Sequence, residues 1–129
     1  MESNLPTRHV FIVGTSMFEE GLTLLLTFGT GLQVSGAKYV DDLWLLDTIV
    51  HNQPDVILWS ESTLLDSVHM LGLLISTPSL AGLRVIIVRL TDNIVNVYKL
   101  PMQMGAGRLY KQQQFVITKR DDLVDVVRG

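Results

Sequence analysis

Three short runs of apolar residues stand out along the chain: "VFIV" at 10–13, "VILW" at 56–59 and "VIIV" at 85–88. Each run is continuous rather than alternating, and β-branched residues are common in it. Runs of this kind are typical of strands buried on both faces, as in a parallel sheet covered by helices. The pattern predicts three adjacent, central parallel strands, with weaker edge strands at "LQVSG" (32–36) and "GRLY" (107–110).

Between and after these runs, apolar residues recur at the spacing of amphipathic helices. The spacing predicts five helices, at residues 16–28, 40–52, 63–76, 92–100 and 118–129. Ser16 and Glu19 have the spacing of a capping box, and Thr118 is placed to cap the last helix. Pro101 falls about two turns into the fourth helix, where we expect a break or kink because proline removes a helix hydrogen bond. "KQQQF" at 111–115 is predicted to be a short polar loop.

The alternation of strands and helices limits the fold. A helix between two strands carries the chain back across the sheet, so consecutive strands run parallel and helices cover both faces. We therefore predict one α/β domain over residues 1–129 with a flavodoxin-like, doubly wound (βα)5 parallel sheet. In this topology the first strand lies inside the sheet and the strand order is 2-1-3-4-5.

Composition narrows the class of protein. The chain has 129 residues, 47% hydrophobic and 18% charged, which suits one globular domain with a single core. A net charge of -3 argues against a nucleic-acid-binding surface, and the absence of cysteine excludes disulfides and thiolate metal sites. The sequence has neither the apolar run of a signal peptide nor the roughly 20 apolar residues that span a bilayer. We expect a soluble cytoplasmic protein with no membrane partner.

Four segments, taken in order, resemble parts of a known family. Residues 18–43 resemble the first helix, second strand and start of the second helix of receiver domains in bacterial two-component response regulators of the NarL/FixJ type. "HNQPDVILWS" resembles their run into the third strand, "GAGRLYK" their run into the fifth strand, and "DDLVDVVRG" their last helix. The resemblance covers essentially the whole chain and implies a receiver fold.

The residues that carry receiver chemistry are replaced in this sequence. A working receiver has two acids after the first strand, a phosphoacceptor aspartate ending the third, a hydroxyl residue ending the fourth and an aromatic residue in the fifth. The matching positions hold Gly14 and Thr15 for the acids, Ser60 with Glu61 beside it for the phosphoacceptor, Arg89 for the hydroxyl and Arg108 for the aromatic residue. Only the lysine that ends the fifth strand is retained, as Lys111.

These replacements remove the means of phosphoryl transfer. Mg²⁺ prefers several anionic oxygen ligands, which hydroxyls and one carboxylate, Glu61, do not supply. Without the metal, nothing neutralises an incoming phosphoryl group in the usual way. Ser60 lacks an adjacent base that would make it a nucleophile, and we favour a hydroxyl that caps the following turn. We therefore expect no bound Mg²⁺ or other cofactor, and no enzymatic activity.

The resemblance implies a degenerate receiver that acts in signal transduction or transcription regulation through protein–protein contacts, without phosphorylation. An alternative is a regulatory module on the same fold that binds a small anion with Arg89 and Lys111; Arg89 is also placed to pair with Glu61. A hydrolase using Ser60 and a receiver phosphorylated at another acid are further alternatives. The chain stops about where such regulators begin the linker to a DNA-binding domain, so an output domain after Gly129 and a stand-alone protein both stay open.

Self-association is a further expectation from the resemblance. Receivers of this kind often pair through the fourth helix, fifth strand and fifth helix, or through the first and fifth helices. The apolar candidates for the first mode are Tyr98, Tyr110, Phe115 and Val116. Because closed twofold pairing is the commonest form of homo-oligomer, we expect a homodimer.

Overall fold

A computed structural model describes residues 8–14, 18–27, 31–89, 91–100 and 111–129, without the side chains of 18–20 and 111–112. Several predicted features lie outside this part of the chain: the Ser16–Glu19 capping box, the edge strand at 107–110, and the site or surface residues Thr15, Arg108 and Tyr110.

Six strands and four helices make up the described residues. The strands are β1 (His9–Gly14), β2 (Gln33–Lys38), β3 (Val56–Ser60), β4 (Arg84–Arg89), β5 (Ile94–Lys99) and β6 (Lys111–Val116). The helices are α1 (Phe18–Thr27), α2 (Asp42–Asn52), α3 (Ser67–Ile75) and α4 (Arg120–Arg128), with a short 3-10 turn at Pro78–Leu80. Among these residues, no helix is both long and apolar enough to cross a bilayer.

The strands form one mixed, mostly parallel sheet in the order β2-β1-β3-β4-β5-β6. The first four run parallel, so the prediction that the three apolar runs are adjacent central parallel strands is confirmed. The segment "LQVSG" contributes to β2, which lies at one edge as predicted. β5 runs antiparallel to both of its neighbours, β4 and β6. The fold class is therefore α/β, as expected, but the sheet is not wholly parallel.

Each face of the sheet packs against its own pair of helices. Alternate residues of β1 show the division, since Val10 and Ile12 join one core cluster while Phe11 and Val13 join the other. The first cluster includes α1 and α4, and the second includes α2 and α3. Both faces of the central strands are thus buried, which explains why their apolar runs are continuous instead of alternating.

The predicted helix at 92–100 is wrong. Residues 94–99 form β5, which pairs antiparallel with β4 across a short turn. Asn93 in this turn has φ 57, a left-handed conformation that asparagine tolerates better than most residues. β5 is rich in β-branched residues, which favours a strand. Its side chains alternate between the two faces, since Val95 and Val97 join the cluster with α1 and α4 while Tyr98 packs against the other cluster. The expected kink before Pro101 does not arise because no helix precedes it.

The segment predicted as a polar loop at 111–115 is also a strand. It forms β6, which pairs antiparallel with β5 and is the last strand of the sheet. Gln114 lies opposite Asn96, and its side-chain amide donates to the Asn96 Oδ1 at 3.2 Å. Asn96 is one of the few buried polar side chains, so a glutamine at this position in β6 satisfies part of its hydrogen-bonding capacity.

Local capping groups set where the helices begin. The Asp41 carboxylate accepts from the Trp44 backbone N at 2.8 Å and starts α2. Asp66 does the same for α3, which therefore begins at Ser67 instead of residue 63. At α4 the expected cap, Thr118, is a donor: its backbone N and hydroxyl donate to the Asp122 carboxylate at 3.0 and 2.8 Å. These bonds lower the pKa of Asp122 because they favour its charged form.

Arg84 ties the end of α4 to the start of β4. Its guanidinium donates to the carbonyls of Val127 and Val126 at 2.7 and 2.6 Å, which are among the last groups of the helix and lack partners within it. Partial burial lowers the pKa of Arg84, and the nearby charge of Arg8 lowers it further. The cation at the carboxyl end of the helix also suits the helix dipole.

We predict that Gly36→Ala destabilises the protein by ~1–3 kcal/mol, the usual cost of overpacking. A Cβ at Gly36 would lie 2.7 Å from the Ile12 carbonyl oxygen, so β2 would have to move away from β1. Gly21→Ala in α1 is the matched control, because a Cβ there meets nothing within 4 Å. It should stabilise the helix by ~0.5–1 kcal/mol. Urea unfolding of both variants tests this, and an unchanged midpoint for Gly36→Ala would contradict it.

Candidate functional site

The carboxyl ends of the central strands bring three of the predicted site positions to one edge of the sheet. Gly14 ends β1, Ser60 ends β3 and Arg89 ends β4. These strands are parallel neighbours, so their ends open on the same crevice, where ligands bind in open α/β sheets. The edge therefore carries a glycine, a hydroxyl and a guanidinium.

Ser60 is a buried residue of the sheet. It is 6% exposed and lies opposite Val88 of β4, while the next residue, Glu61, donates its backbone N–H to the Val88 carbonyl at 2.9 Å. The preceding residue, Trp59, is fully buried, and its indole N–H donates to the Ser67 hydroxyl at 2.9 Å. These bonds attach the end of β3 to β4 and to the start of α3, so the position has a packed environment.

Arg89 pairs with Asp92, whereas the sequence suggested Glu61 as its partner. Its Nε donates to both Asp92 carboxylate oxygens, at 3.0 and 3.1 Å. This hydrogen bond raises the pKa of Arg89 and lowers that of Asp92, and Glu61 adds a weaker electrostatic contribution to Arg89. Asp92 is the partner because it lies three residues after Arg89, in the turn between β4 and β5, where the antiparallel hairpin brings it back to the arginine.

Lys111 lies at the opposite end of the sheet from Arg89. Arg89 is opposite Ile94 at the start of β5, whereas Lys111 is opposite Lys99 at its end. The two positions are five residues apart along β5, or about 17 Å at roughly 3.4 Å per residue. The register of the strands therefore places Arg89 and Lys111 at opposite ends of the sheet and not in one crevice.

The expected dimer surface is divided between core and edge. Tyr98 is half-buried and packs against the cluster that includes α2 and α3. Phe115 and Val116 in β6 are 38% and 65% exposed. Two of the three described candidates are thus accessible, and both are in the last strand of the sheet.

A hydrogen-bonded network that the sequence did not predict joins α2 to α3 at the same end of the sheet. The Tyr39 hydroxyl donates to Asp42 Oδ1 at 2.6 Å, and the His69 Nδ1 lies 2.5 Å from Asp42 Oδ2. Tyr39 and Asp42 are three residues apart at a helix start, a spacing visible in the sequence. His69 is 27 residues from Asp42, and only the packing of α3 beside α2 brings it there.

The network perturbs the ionisation of its tyrosine. The hydrogen bond to the Asp42 carboxylate raises the pKa of Tyr39 to about 12, and burial and the negative charges of Asp42 and Asp41 act in the same direction. A histidine held by a carboxylate supplies two of the three members of a catalytic triad. The Ser67 hydroxyl accepts from the Trp59 indole N–H, and the Ser62 hydroxyl accepts from the Leu64 backbone N–H. The Asp42–His69 contact fixes the starts of the two helices against each other.

The described ranges, 8–14, 18–27, 31–89, 91–100 and 111–129, hold no group of three histidine or acidic side chains close enough to bind a metal ion. Asp42 and His69 form a pair without a third ligand. Of the predicted receiver positions, Gly14, Ser60, Glu61 and Arg89 come together at one edge, and Lys111 does not.

Comparison with known proteins identifies no family for this chain. No family model matches the chain, and no curated protein is similar to it. One solved structure with similar geometry is a variant of HypX from Aquifex aeolicus, with 11% sequence identity and a TM-score of 0.43. The match covers 96% of this chain and 26% of HypX, so the chain spans about a quarter of that protein. A likeness of this size carries no argument about function.

We predict that Asp42→Asn lowers the pKa of Tyr39 from about 12 towards 10. The substitution removes the negative charge that holds the phenol proton. Ultraviolet titration measures this as the difference between each protein and its Tyr39→Phe version. A raised pKa in the folded state stabilises it below pH 10, and this contribution is lost as pH rises through about 12. An unchanged titration curve in Asp42→Asn would contradict the network.

Proposed function

We propose that this chain is a receiver-like regulatory domain that acts by binding proteins and does not depend on phosphorylation. It serves a response regulator in signal transduction or transcription control. The observation that carries the proposal is the identity and burial of Ser60. A neutral, 6% exposed hydroxyl ends β3 where a receiver presents its phosphoacceptor carboxylate.

The rest of the crevice supports the same proposal. Gly14 supplies no side-chain oxygen, and the Arg89 guanidinium is held by Asp92. Glu61 is one carboxylate, whereas Mg²⁺ in phosphoryl-transfer sites is bound by carboxylates together with phosphate oxygens. An incoming phosphoryl group would thus meet neither a nucleophile nor a charge-neutralising metal site among the described residues.

The hairpin after β4 supports a single, fixed conformational state. In receivers the segment after the fourth strand responds to phosphorylation through its hydroxyl residue. Here β4 and β5 pair over six residues each, and the Arg89–Asp92 ion pair closes their turn. A strand inside a sheet has ladder partners on both sides, and moving it would break both sets of bonds. A domain with one conformation acts through the surface it displays and not through a switch.

We predict that a small phosphodonor with Mg²⁺ leaves the mass of the protein unchanged, and that beryllium fluoride causes no shift in melting temperature. Ser60→Asp should give the same result, because Gly14 still supplies no ligand and Arg89 still occupies the hydroxyl position. A receiver with an intact acid cluster, treated in parallel, is the control and should gain one phosphoryl group. A phosphoryl group mapped to any residue of this crevice would refute phosphorylation independence.

We propose self-association through the outer edge of β6. The Ile117 backbone N donates to the Asn93 carbonyl at 2.8 Å, so residues 113 and 115 also face β5. The backbone groups of Gln112, Gln114 and Val116 therefore point away from the sheet. Residues 112–117 carry no charge and no proline, the devices that usually protect an edge strand.

The edge of β6 is compatible with antiparallel pairing to a second copy of itself. Antiparallel pairing about a twofold axis at Gln114 places Gln112 of one copy opposite Val116 of the other. Lys111 then faces the uncharged Ile117, so no like charges meet. Such pairing would extend the sheet across two copies and cover the exposed side chain of Val116.

We predict a dimer at micromolar concentrations that Val116→Pro converts to a monomer. Proline removes an outward-facing N–H while the bonds to β5 remain, so folding should be retained. Val116→Thr keeps that N–H and is the matched control, which should stay dimeric. Light scattering distinguishes the states. A 14.4 kDa species of the wild type at every micromolar concentration would contradict self-association.

A further inference from the structure

Four aliphatic side chains are exposed at the starts of α2 and α3. They are Val40, Leu43, Leu64 and Val68, and their exposed fractions lie between 63% and 81%. Single exposed aliphatic residues are ordinary, but several at one end of a domain typically mark an interaction surface. We call these four residues the α2–α3 patch.

The Asp42–His69 contact places the two chain segments that carry the patch side by side. Val40 and Leu43 lie within two positions of Asp42 along the chain, and Val68 is next to His69. Leu64 lies in the loop that leads to Asp66, the cap of α3. The position of this loop is fixed by the burial of Leu65 and by the Ser62 hydroxyl, which accepts from the Leu64 backbone N–H at 3.1 Å. The patch is therefore presented on a rigid support, at little entropic cost to a partner.

Most of the charge around the patch is negative, and the nearest lysine in the sequence is Lys38, two residues before Val40. Between Lys38 and Arg84 the sequence contains no lysine or arginine, although it contains six acidic residues: Asp41, Asp42, Asp47, Asp55, Glu61 and Asp66. Three of these, Asp41, Asp42 and Asp66, lie beside the patch, where Asp41 and Asp66 also neutralise the positive ends of the two helices. A partner meets aliphatic side chains with carboxylates around them.

We propose that the α2–α3 patch is a docking surface for a protein segment that presents aliphatic side chains flanked by lysine or arginine. The aliphatic residues of the segment bury the patch, and its cations lie against the surrounding carboxylates. Complementary charge of this kind speeds association and selects the partner. The α2–α3 patch is thus a second binding surface of the domain, separate from the β6 edge.

Charge also decides against other occupants of the patch. A second copy placed here about a twofold axis would bring its own acidic residues against Asp41, Asp42 and Asp66, which is repulsive. An anionic lipid surface would be repelled by the same carboxylates. A cationic, amphipathic segment meets no such repulsion. If it is helical, aliphatic residues at positions i, i+3, i+4 and i+7 lie on one face and can contact the patch together.

The test uses a synthetic amphipathic helix of about 16 residues with a leucine stripe and lysine elsewhere. A matched peptide replaces every lysine with glutamate. Binding is followed by the fluorescence of Trp44, which is half-buried in the first turn of α2, and by amide chemical shifts. We expect the lysine peptide to bind, with shifts confined to residues 39–44 and 61–69. Its affinity should fall as salt rises from about 0.05 to about 0.5 M.

Substitutions within and outside the patch complete the test. Leu43→Ser combined with Val68→Ser should weaken binding at least about tenfold, because two apolar contacts are lost. Leu24→Ser is the control: Leu24 is 58% exposed in α1, on the other face of the sheet, and its loss should change nothing. The proposal is overturned if the lysine peptide fails to bind, if the glutamate peptide binds equally well, or if Leu24→Ser weakens binding as much. Loss of wild-type self-association in the double variant would assign the patch to a second copy and overturn it too.

Discussion

Burial of both faces of the central strands is the constraint on which the rest of the fold depends. Every residue of β3 is buried, and its side chains alternate between the two core clusters. Such a strand requires a layer of helices on each side, so the helices must divide between the faces. That division places α2 beside α3, and the Asp42–His69 contact and the exposed patch exist only because those two helices start side by side.

The sequence was most informative where side-chain burial alone decides the structure. The runs at 10–13, 56–59 and 85–88 became adjacent parallel strands because continuous β-branched runs have few other places in a domain. The helix expected at 92–100 is wrong because apolar spacing over so short a segment fits a strand as well as a helix, and residues 94–99 pair with β4. Thr91–Asn93 between two β-branched segments is a hairpin signal, and a strand formed there.

The candidate site was predictable in part for the same reason. Gly14, Ser60 and Arg89 follow strands that were placed correctly, so their meeting at one edge could be inferred. The partner of Arg89 was missed because it depends on the hairpin turn that brings Asp92 back. Lys111 was misplaced because the strand it starts was predicted as a loop. No local pattern reports that His69 would meet Asp42, since that contact requires two helices to pack first.

The layer formed by α2 and α3 lies in a stretch, residues 39–83, that contains no lysine or arginine, and this affects chemical labelling and proteolysis. Trypsin cleaves after lysine or arginine. It therefore cuts after Lys38 and after Arg84 and leaves residues 39–84 as one peptide of 46 residues. Amine-directed cross-linkers, acetylation and ubiquitination at lysine are all confined to the rest of the chain. A complex formed on this layer would thus offer amine cross-linkers Lys38 at its border and no lysine between residues 39 and 83. Carbodiimide coupling would instead join its carboxylates to lysines of a bound segment.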